Sequence, residues 1–112
     1  MRAARVRAGI LSLALACVGA VWADGPDPTV LAEGKAIFTE KAAPTCATCH
    51  ALADAEAVGT LGPDLDHLQP DHDQMLAVLR DGAGVMPSFE EQLDAEQMEA
   101  VIAYVLSATR GE

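Results

Sequence analysis

Two cysteines and a histidine lie close together in the segment Cys46-Ala47-Thr48-Cys49-His50. Cys-x-x-Cys-His is the signature of covalent haem attachment. Two thiols on one helical turn can each add to a vinyl group of the same porphyrin. The histidine directly after the second thiol then lies under the ring, with a nitrogen directed at the iron. The sequence therefore predicts one haem c, bound covalently through Cys46 and Cys49, with His50 as an axial ligand.

Three other uses of these cysteines fit the sequence less well. A thioredoxin-like dithiol has the same spacing, but no βαβ pattern surrounds it here. A structural zinc site needs four ligands, and the spacings of His67 and His72 from Cys49 fit no common zinc module. A disulfide between Cys46 and Cys49 would close so short a loop that it would stabilise the chain very little.

A methionine is the expected sixth ligand of the iron. Met75 and Met98 lie on the apolar faces of predicted helices, where packing in the core accounts for them. Met86 lies instead in a glycine-rich loop that a proline ends, Gly82-Ala83-Gly84-Val85-Met86-Pro87. A thioether in such a loop can reach inward without being committed to a helix, which makes Met86 the favoured ligand.

Ligation by His50 and Met86 predicts a comparatively high reduction potential, because a neutral, soft thioether favours ferrous iron. Packing of Met86 on Phe89 is the alternative use of this methionine. His67 is the alternative iron ligand, and it would lower the potential. The axial histidine should also donate its second ring N–H to a fixed acceptor. The rigid turn at Gly62-Pro63 offers a carbonyl, although such a pair also occurs in ordinary loops.

Prolines, glycines and acidic caps divide the chain after residue 23 into three helical stretches. The first begins at Asp27-Pro28 and ends before Pro44, with one face formed by Val30, Gly34, Ile37, Phe38 and Lys41. The second follows an Asp71/Gln74 capping pattern, has an apolar face of Met75, Val78 and Leu79, and ends at Gly82. The third follows the same pattern at Asp94/Gln97 and carries Met98, Val101, Ile102 and Val105 at helical spacing.

No segment alternates strongly enough to predict a strand, so the expected fold class is all-α. Long loops are expected at 51–70 and 81–93, and loops of that length in a small domain usually have a function or need outside support. After residue 23 the aromatic side chains are Phe38, Phe89 and Tyr104. So few large side chains make a weak core, which a bulky cofactor would fill.

The charge of the chain after residue 23 excludes nucleic-acid binding. The segment 24–112 contains four basic and 17 acidic residues, a formal charge of −13. Such a surface cannot neutralise a run of phosphates. It favours partners with basic docking surfaces and an association that depends on salt, although charge also serves solubility.

The first 23 residues have the pattern of a secretory signal peptide. Three arginines and no acid precede Ala8, and 8–23 is an uncharged run that ends Val21-Trp22-Ala23. This run is shorter than the ~20 residues of a membrane span. A lipoprotein acylated at Cys17 is the weaker alternative, because the residues before it fit a lipobox poorly. We expect cleavage after Ala23 and a periplasmic location in a bacterium.

The order of these features along 24–112 resembles that of the class I cytochromes c. The shared features are a first helix with Gly34 and Phe38, the Cys46-x-x-Cys49-His50 motif, Gly62-Pro63-x-Leu65, a short helix, Gly84-Val85-Met86-Pro87, and a last helix with Val101-Ile102-Ala103-Tyr104-Val105. The interval of 36 residues between His50 and Met86 is similar to that of the small bacterial members.

The resemblance implies the cytochrome c fold over 24–112, with the N- and C-terminal helices crossing and haem as the core. It implies that Gly34 and Phe38 contact Ile102 and Tyr104. It also implies that Pro63 accepts the N–H bond of the axial histidine.

A one-electron carrier is the function expected from this reading, not an enzyme, because both axial positions of the iron are filled. A small peroxidase or a gas-binding haem protein would need an open position, against which Met86 argues. The stretch 59–70 and the Gly-Val-Met-Pro-Ser segment also resemble single-haem subunits that accept electrons from sulfite-oxidising molybdenum enzymes. A permanently bound subunit of a periplasmic dehydrogenase is therefore the alternative. The sequence predicts redox-protein partners and no particular oligomeric state.

Overall fold

The computed structural model describes residues 25–111, together with Gly9, Ala14, Ala16, Cys17 and Gly19. The predicted signal peptide, 1–23, and its cleavage point after Ala23 lie outside the described residues, apart from these five positions. Within the part that is described, none of the helices combines the length and the apolar character that a bilayer crossing requires.

Helices form most of the ordered structure between residues 28 and 110. The elements, in chain order, are α1 (Pro28–Ala36), which continues into a π-helical turn (Ile37–Lys41), α2 (Cys46–Cys49), β1 (Ala51–Leu52), a 3₁₀ turn (Ala53–Ala55), β2 (Ala57–Val58), α3 (Leu65–Leu68), α4 (His72–Asp81) and α5 (Ala95–Arg110). The predicted helical architecture is confirmed, and the hairpin of β1 and β2 is an addition to it.

Helix α1 begins where the sequence predicts and crosses α5. The Asp27 carboxylate accepts the Thr29 N–H at 2.8 Å, and Pro28 occupies the first turn. At the crossing, a Cβ on Gly34 would lie 2.1 Å from the Ala100 carbonyl oxygen. The two helices therefore approach each other as closely as a residue without a side chain allows.

The aromatic contact that the family resemblance implies is present beside this glycine. The rings of Phe38 and Tyr104 meet edge to face, with centroids 6.0 Å apart. The predicted α1 face is wrong at two positions, because Val30 and Lys41 are exposed. Lys41 instead forms an ion pair with Glu33 at 2.6 Å, which keeps its charge in solvent.

Helices α4 and α5 both begin with the capping boxes that the sequence predicts. At the start of α4, the Asp71 carboxylate accepts the Gln74 N–H and the Gln74 side chain accepts the Asp71 N–H. The Asp94/Gln97 pair repeats this arrangement at α5. Helix α5 buries the predicted face of Met98, Val101, Ile102 and Val105. Helix α4 buries Met75 and Leu79, but Val78, the third residue of its predicted face, is only half-buried.

The stretch 51–70 contains more structure than the expected loop. Strands β1 and β2 pair antiparallel, with Ala51 opposite Val58 and Leu52 opposite Ala57. Glu56, in the left-handed region at φ 51°, reverses the chain between them. The absence of a strand from the prediction is thus a miss, because strands of two residues are too short to show alternation.

Candidate haem-binding site

A cavity of about 550 Å³ lies between α2, the segment that follows β2, α4 and the 83–89 loop, with α5 at its back. Its lining is mostly apolar. All five residues predicted for the site, Cys46, Cys49, His50, Pro63 and Met86, line this cavity. The fold therefore brings together side chains that are as far apart in the sequence as positions 46 and 86.

The two thiols lie on the single turn of helix α2. The His50 N–H donates to the Cys46 carbonyl at 2.9 Å, which closes this turn and places the imidazole directly after it. Cys46 and Cys49 do not form a disulfide with each other, which argues against the disulfide alternative. Burial raises the pKa of Cys46 to about 11, and the nearby Cys49 adds to the shift.

The His50 imidazole is held from behind by the acceptor that the sequence predicts. Its Nδ1 lies 2.7 Å from the Pro63 carbonyl oxygen, and since a carbonyl can only accept, Nδ1 carries the proton. In a neutral imidazole with this tautomer, Nε2 is the nitrogen that can bind a metal. The Gly62 N–H donates to the Cys49 carbonyl at 2.8 Å and so ties this acceptor to the haem-attachment turn.

Two glycines allow the backbone to pack directly against the histidine. A Cβ on Gly62 would lie 2.5 Å from Cε1 of the His50 ring. A Cβ on Gly59 would lie 2.5 Å from the carbonyl carbon of Cys49 and 2.7 Å from the His50 nitrogen. The role of Gly59 is not predictable from the sequence, because no local pattern shows which backbone a glycine will meet.

Met86 reaches the cavity from a tight turn after helix α4. The Ala83 N–H donates to the Met86 carbonyl at 3.0 Å, and the Met86 N–H donates to the Ala83 carbonyl at 2.9 Å. Gly82 and Gly84 hold left-handed conformations at φ 71° and 57°, which this turn needs and glycine adopts without strain. The Met86 side chain is half-buried against the core.

These residues fit a haem. Two thiols, an imidazole that donates from Nδ1 to a backbone carbonyl, and a thioether line one mostly apolar cavity. The backbone at Gly62 lies so close to the imidazole that a Cβ there would collide with the ring.

Comparison with known proteins agrees with this geometry. Residues 29–105 match the family model described as cytochrome c oxidase, cbb3-type, subunit III. The chain belongs to the c-type cytochromes. It is an electron-transfer haem protein of the small class I type, and its cofactor is haem c.

Two curated relatives and one solved structure show the same kinship. The chain is 30% identical to cytochrome c-551 of Halorhodospira halochloris over 76 residues. This match covers 67% of this chain and 96% of that protein. Its identity to cytochrome c-551 of Halorhodospira halophila is also 30%, over 97% of that protein. The crystal structure of the c-type cytochrome SorU from Sinorhizobium meliloti matches with a TM-score of 0.70 and 46% identity, over 74% of this chain and 94% of that one.

The two remaining histidines of the cytochrome lie away from the cavity lining. His67 is exposed on helix α3 and is not among the residues that line the cavity. His72 joins α4 to α5, with its Nε2 2.8 Å from Glu99 and its Nδ1 3.2 Å from Asp73. The hydrogen bond to Glu99, followed by that to Asp73, raises the pKa of His72. Among the described residues, no group of three or more His, Cys, Asp and Glu side chains could hold a metal ion.

A hydrogen bond and an ion pair join the β1–β2 hairpin of the cytochrome to the crossing of α1 and α5. The Tyr104 hydroxyl donates to the Asp54 carboxylate at 2.5 Å, and Lys35 lies 3.4 Å from the same carboxylate oxygen. The hydrogen bond from Tyr104, with help from Lys35, holds the pKa of Asp54 below its usual range. Burial and the facing carboxylate raise the pKa of Tyr104. These contacts of Asp54 hold in place the segment that leads from His50 towards Pro63.

Proposed function

We propose that this cytochrome is a periplasmic one-electron carrier with no catalytic activity, in which Cys46 and Cys49 hold the haem and His50 and Met86 ligate the iron. The observation that carries the proposal is the convergence of these four side chains on one apolar cavity. Haem c supplies a reversible one-electron couple when bound. The chain orients and buries that group, and its two axial side chains keep substrates from the iron.

The residues around His50 tune this site. The Pro63 carbonyl accepts the Nδ1–H bond, which fixes the tautomer and makes the opposite nitrogen a better donor to a metal. The mostly apolar lining limits the access of water. Because the Met86 thioether is neutral, the pair favours the reduced state and gives a comparatively high potential.

Replacement of Met86 by leucine tests the ligand assignment. Leucine keeps the apolar volume but removes the sulfur. We expect Met86→Leu to lower the reduction potential and to let carbon monoxide bind the reduced protein. Met98→Leu, in the buried face of α5, is the matched control and should change neither property. A Met86→Leu protein that still excludes carbon monoxide would require a different sixth ligand.

We propose that redox partners dock at the mouth of the cavity. Leu61, Leu68 and Val85 line the cavity and are also exposed, so they form an apolar rim around its opening. The segment 24–112 as a whole carries a formal charge of −13. An apolar rim on an acidic protein fits a partner that presents an apolar spot bordered by Lys and Arg.

Two exposed valines provide a matched test of this surface. Val85 on the rim is 88% exposed, and Val58, which does not line the cavity, is 84% exposed. We expect Val85→Glu to slow electron exchange with a basic c-type cytochrome about tenfold at fixed ionic strength, because it places a charge in a desolvated contact. Val58→Glu should leave the rate unchanged, as measured by stopped flow. Equal effects of the two changes would place the contact elsewhere.

A permanently bound subunit of a periplasmic dehydrogenase, such as a sulfite-oxidising molybdenum enzyme, is the second candidate. The stretch 59–70, on which this sequence resemblance rests, includes Gly59 and Gly62, which pack against Cys49 and His50. Co-purification from the source periplasm tests it. A complex that survives high salt favours the subunit, whereas one that dissociates as salt rises favours a shuttle.

We propose that 1–23 is a signal peptide and that the cytochrome c domain spans 24–112. The arginines before Ala8 and the uncharged run up to Ala23 support this division. Mass spectrometry of the exported holoprotein is the test. It should give the mass of a chain that begins at Asp24, plus one haem.

A further inference from the structure

The loop that carries Met86 and the segment that precedes Cys46 come together at one edge of the cavity. Met86 and Phe89 line the cavity from the loop, and Pro44 and Cys46 line it from the other side. These segments are about 40 positions apart in the sequence. Tertiary bonds must therefore hold this edge closed.

The side chain of Gln92 makes such bonds. Its amide oxygen accepts the Ala43 N–H at 3.0 Å, and its amide NH₂ donates to the Ala43 carbonyl at 2.7 Å. One amide thus pairs with both backbone groups of a single residue. The reverse orientation of the amide would set donor against donor, so the backbone fixes it. Within the described residues, no other hydrogen bond joins 82–93 to 42–50.

The opposite side of the same loop is fastened to helix α4. The Phe89 N–H donates to the Leu79 carbonyl at 2.7 Å, and the Ser88 hydroxyl donates to the Arg80 carbonyl. The Met86 loop is therefore held to α4 by its own short-range bonds. Its hydrogen bonding to the thiol-bearing side depends on Gln92.

We propose that Gln92 is a positioning residue for Met86, which closes the edge of the haem cavity by pairing with Ala43 and so limits displacement of Met86 from the iron. This inference rests on the proposed ligation by His50 and Met86. Gln92 and Ala43 are both exposed, so water can replace their bonds. Loss of the pair then permits a local opening of the loop and not an unfolding of the protein.

Carbon monoxide binding to the reduced holoprotein measures this opening. We expect Gln92→Ala to accelerate carbon monoxide binding about tenfold, the size of effect that one or two neutral hydrogen bonds produce. Hydrogen exchange of the Ala43 amide, followed by NMR, should accelerate in the same variant. Gln97→Ala is the matched control, because it breaks the capping box of α5 and leaves the Met86 loop bonded as before.

A second variant distinguishes pairing with Ala43 from a general loss of stability. In Gln92→Glu, an ionised carboxylate can accept the Ala43 N–H but repels the Ala43 carbonyl. A protonated carboxyl can donate to that carbonyl and restores both bonds. We therefore expect carbon monoxide binding in Gln92→Glu to slow towards the parent rate as the pH falls. Carbon monoxide does not titrate, and the parent and Gln92→Ala serve as references at each pH.

The outcomes separate this proposal from the ligation on which it rests. If Met86→Leu does not bind carbon monoxide, the ligand assignment fails. If Met86→Leu binds it but Gln92→Ala binds no faster than the parent, the role of Gln92 alone is overturned. Equal acceleration in Gln92→Ala and Gln97→Ala would also overturn it, because a general loss of stability would then explain both.

Discussion

The two sides of the cavity are built in opposite ways. On the side of His50, backbone packs closely around the residue, and the segment that carries the acceptor of the imidazole is bonded back to the Cys46–Cys49 turn within 13 positions of His50. On the side of Met86, a turn with two left-handed glycines reaches into the cavity, and an exposed side-chain amide joins it to the far edge. The difference teaches that one of the two proposed ligands, His50, is fixed by steric packing, whereas the other, Met86, is held by a few replaceable hydrogen bonds. Exchange of an axial ligand should therefore occur on the Met86 side.

Two buried phenylalanines, one at the helix crossing and one in the Met86 loop, allow the largest test of this difference. Phe38 belongs to the helix crossing and Phe89 to the Met86 loop, and both are buried and line the cavity. We expect each substitution by alanine to lower the free energy of unfolding by about 3–5 kcal/mol. Phe89→Ala should also accelerate carbon monoxide binding, whereas Phe38→Ala should not. Thermal unfolding and ligand kinetics measure the two effects, and faster binding in Phe38→Ala would break the comparison.

Glycine-to-alanine changes give a second test. A Cβ at Gly62 meets the His50 ring at 2.5 Å, so Gly62→Ala should cost about 1–3 kcal/mol through overpacking and should shift the reduction potential. A Cβ at Gly84 has no neighbour within 4 Å, so Gly84→Ala should cost about 1 kcal/mol, from its left-handed conformation alone. Denaturant melts of the two holoproteins measure the costs. A larger loss in Gly84→Ala would show that the Met86 turn is the more constrained side.

The smallest test uses pH, and two polar contacts outside the cavity, Asp54 with Tyr104 and His72 with Glu99, should respond with opposite signs. The pKa of Asp54 is lowered in the folded protein, so its contribution to stability is present above about pH 4 and is lost as the pH falls through the folded pKa. The pKa of His72 is raised, so its contribution is full below about pH 6.5 and is lost as the pH rises through the folded pKa. Both groups are partly exposed, which limits each effect to less than about 1 kcal/mol.

Two conservative variants assign these pH effects. Asp54→Asn should remove part of the acid sensitivity of the melting temperature, and His72→Gln part of the loss above neutral pH. Melting temperatures between pH 3 and pH 9 provide the measurement. If His72→Gln alters only the acid limb, its bridge to Glu99 does not stabilise the fold in solution.

The parts of the fold that local chemistry determines could be predicted from the sequence. The caps at Asp27, Asp71 and Asp94 depend on residues within three positions, and each appears where its pattern predicts. The hairpin at 51–58 was missed because each strand has two residues. Val30 was misplaced because helical spacing gives a face but not its limits, and this residue lies beyond the covered part of α1.

The candidate site also has a part that the sequence predicts and a part that it does not. Its five predicted residues all line the cavity, because the attachment motif and the Met86 loop carry recognisable local patterns. The contact of Gly59 with Cys49 and the pairing of Gln92 with Ala43 could not be predicted. A glycine and an exposed amide carry no sequence signal of what they meet, and Gln92 lies 49 positions from its partner.

The chain contains a single tyrosine, and the fold places it where α1, α5 and the hairpin meet. Labelling that amino acid with carbon-13 at Cζ alone therefore yields one resonance, from Tyr104, with no assignment needed. Its chemical shift would follow the proton between the phenol and Asp54. The cytochrome thus carries a built-in probe that reports, during folding or docking, when the terminal helices have joined.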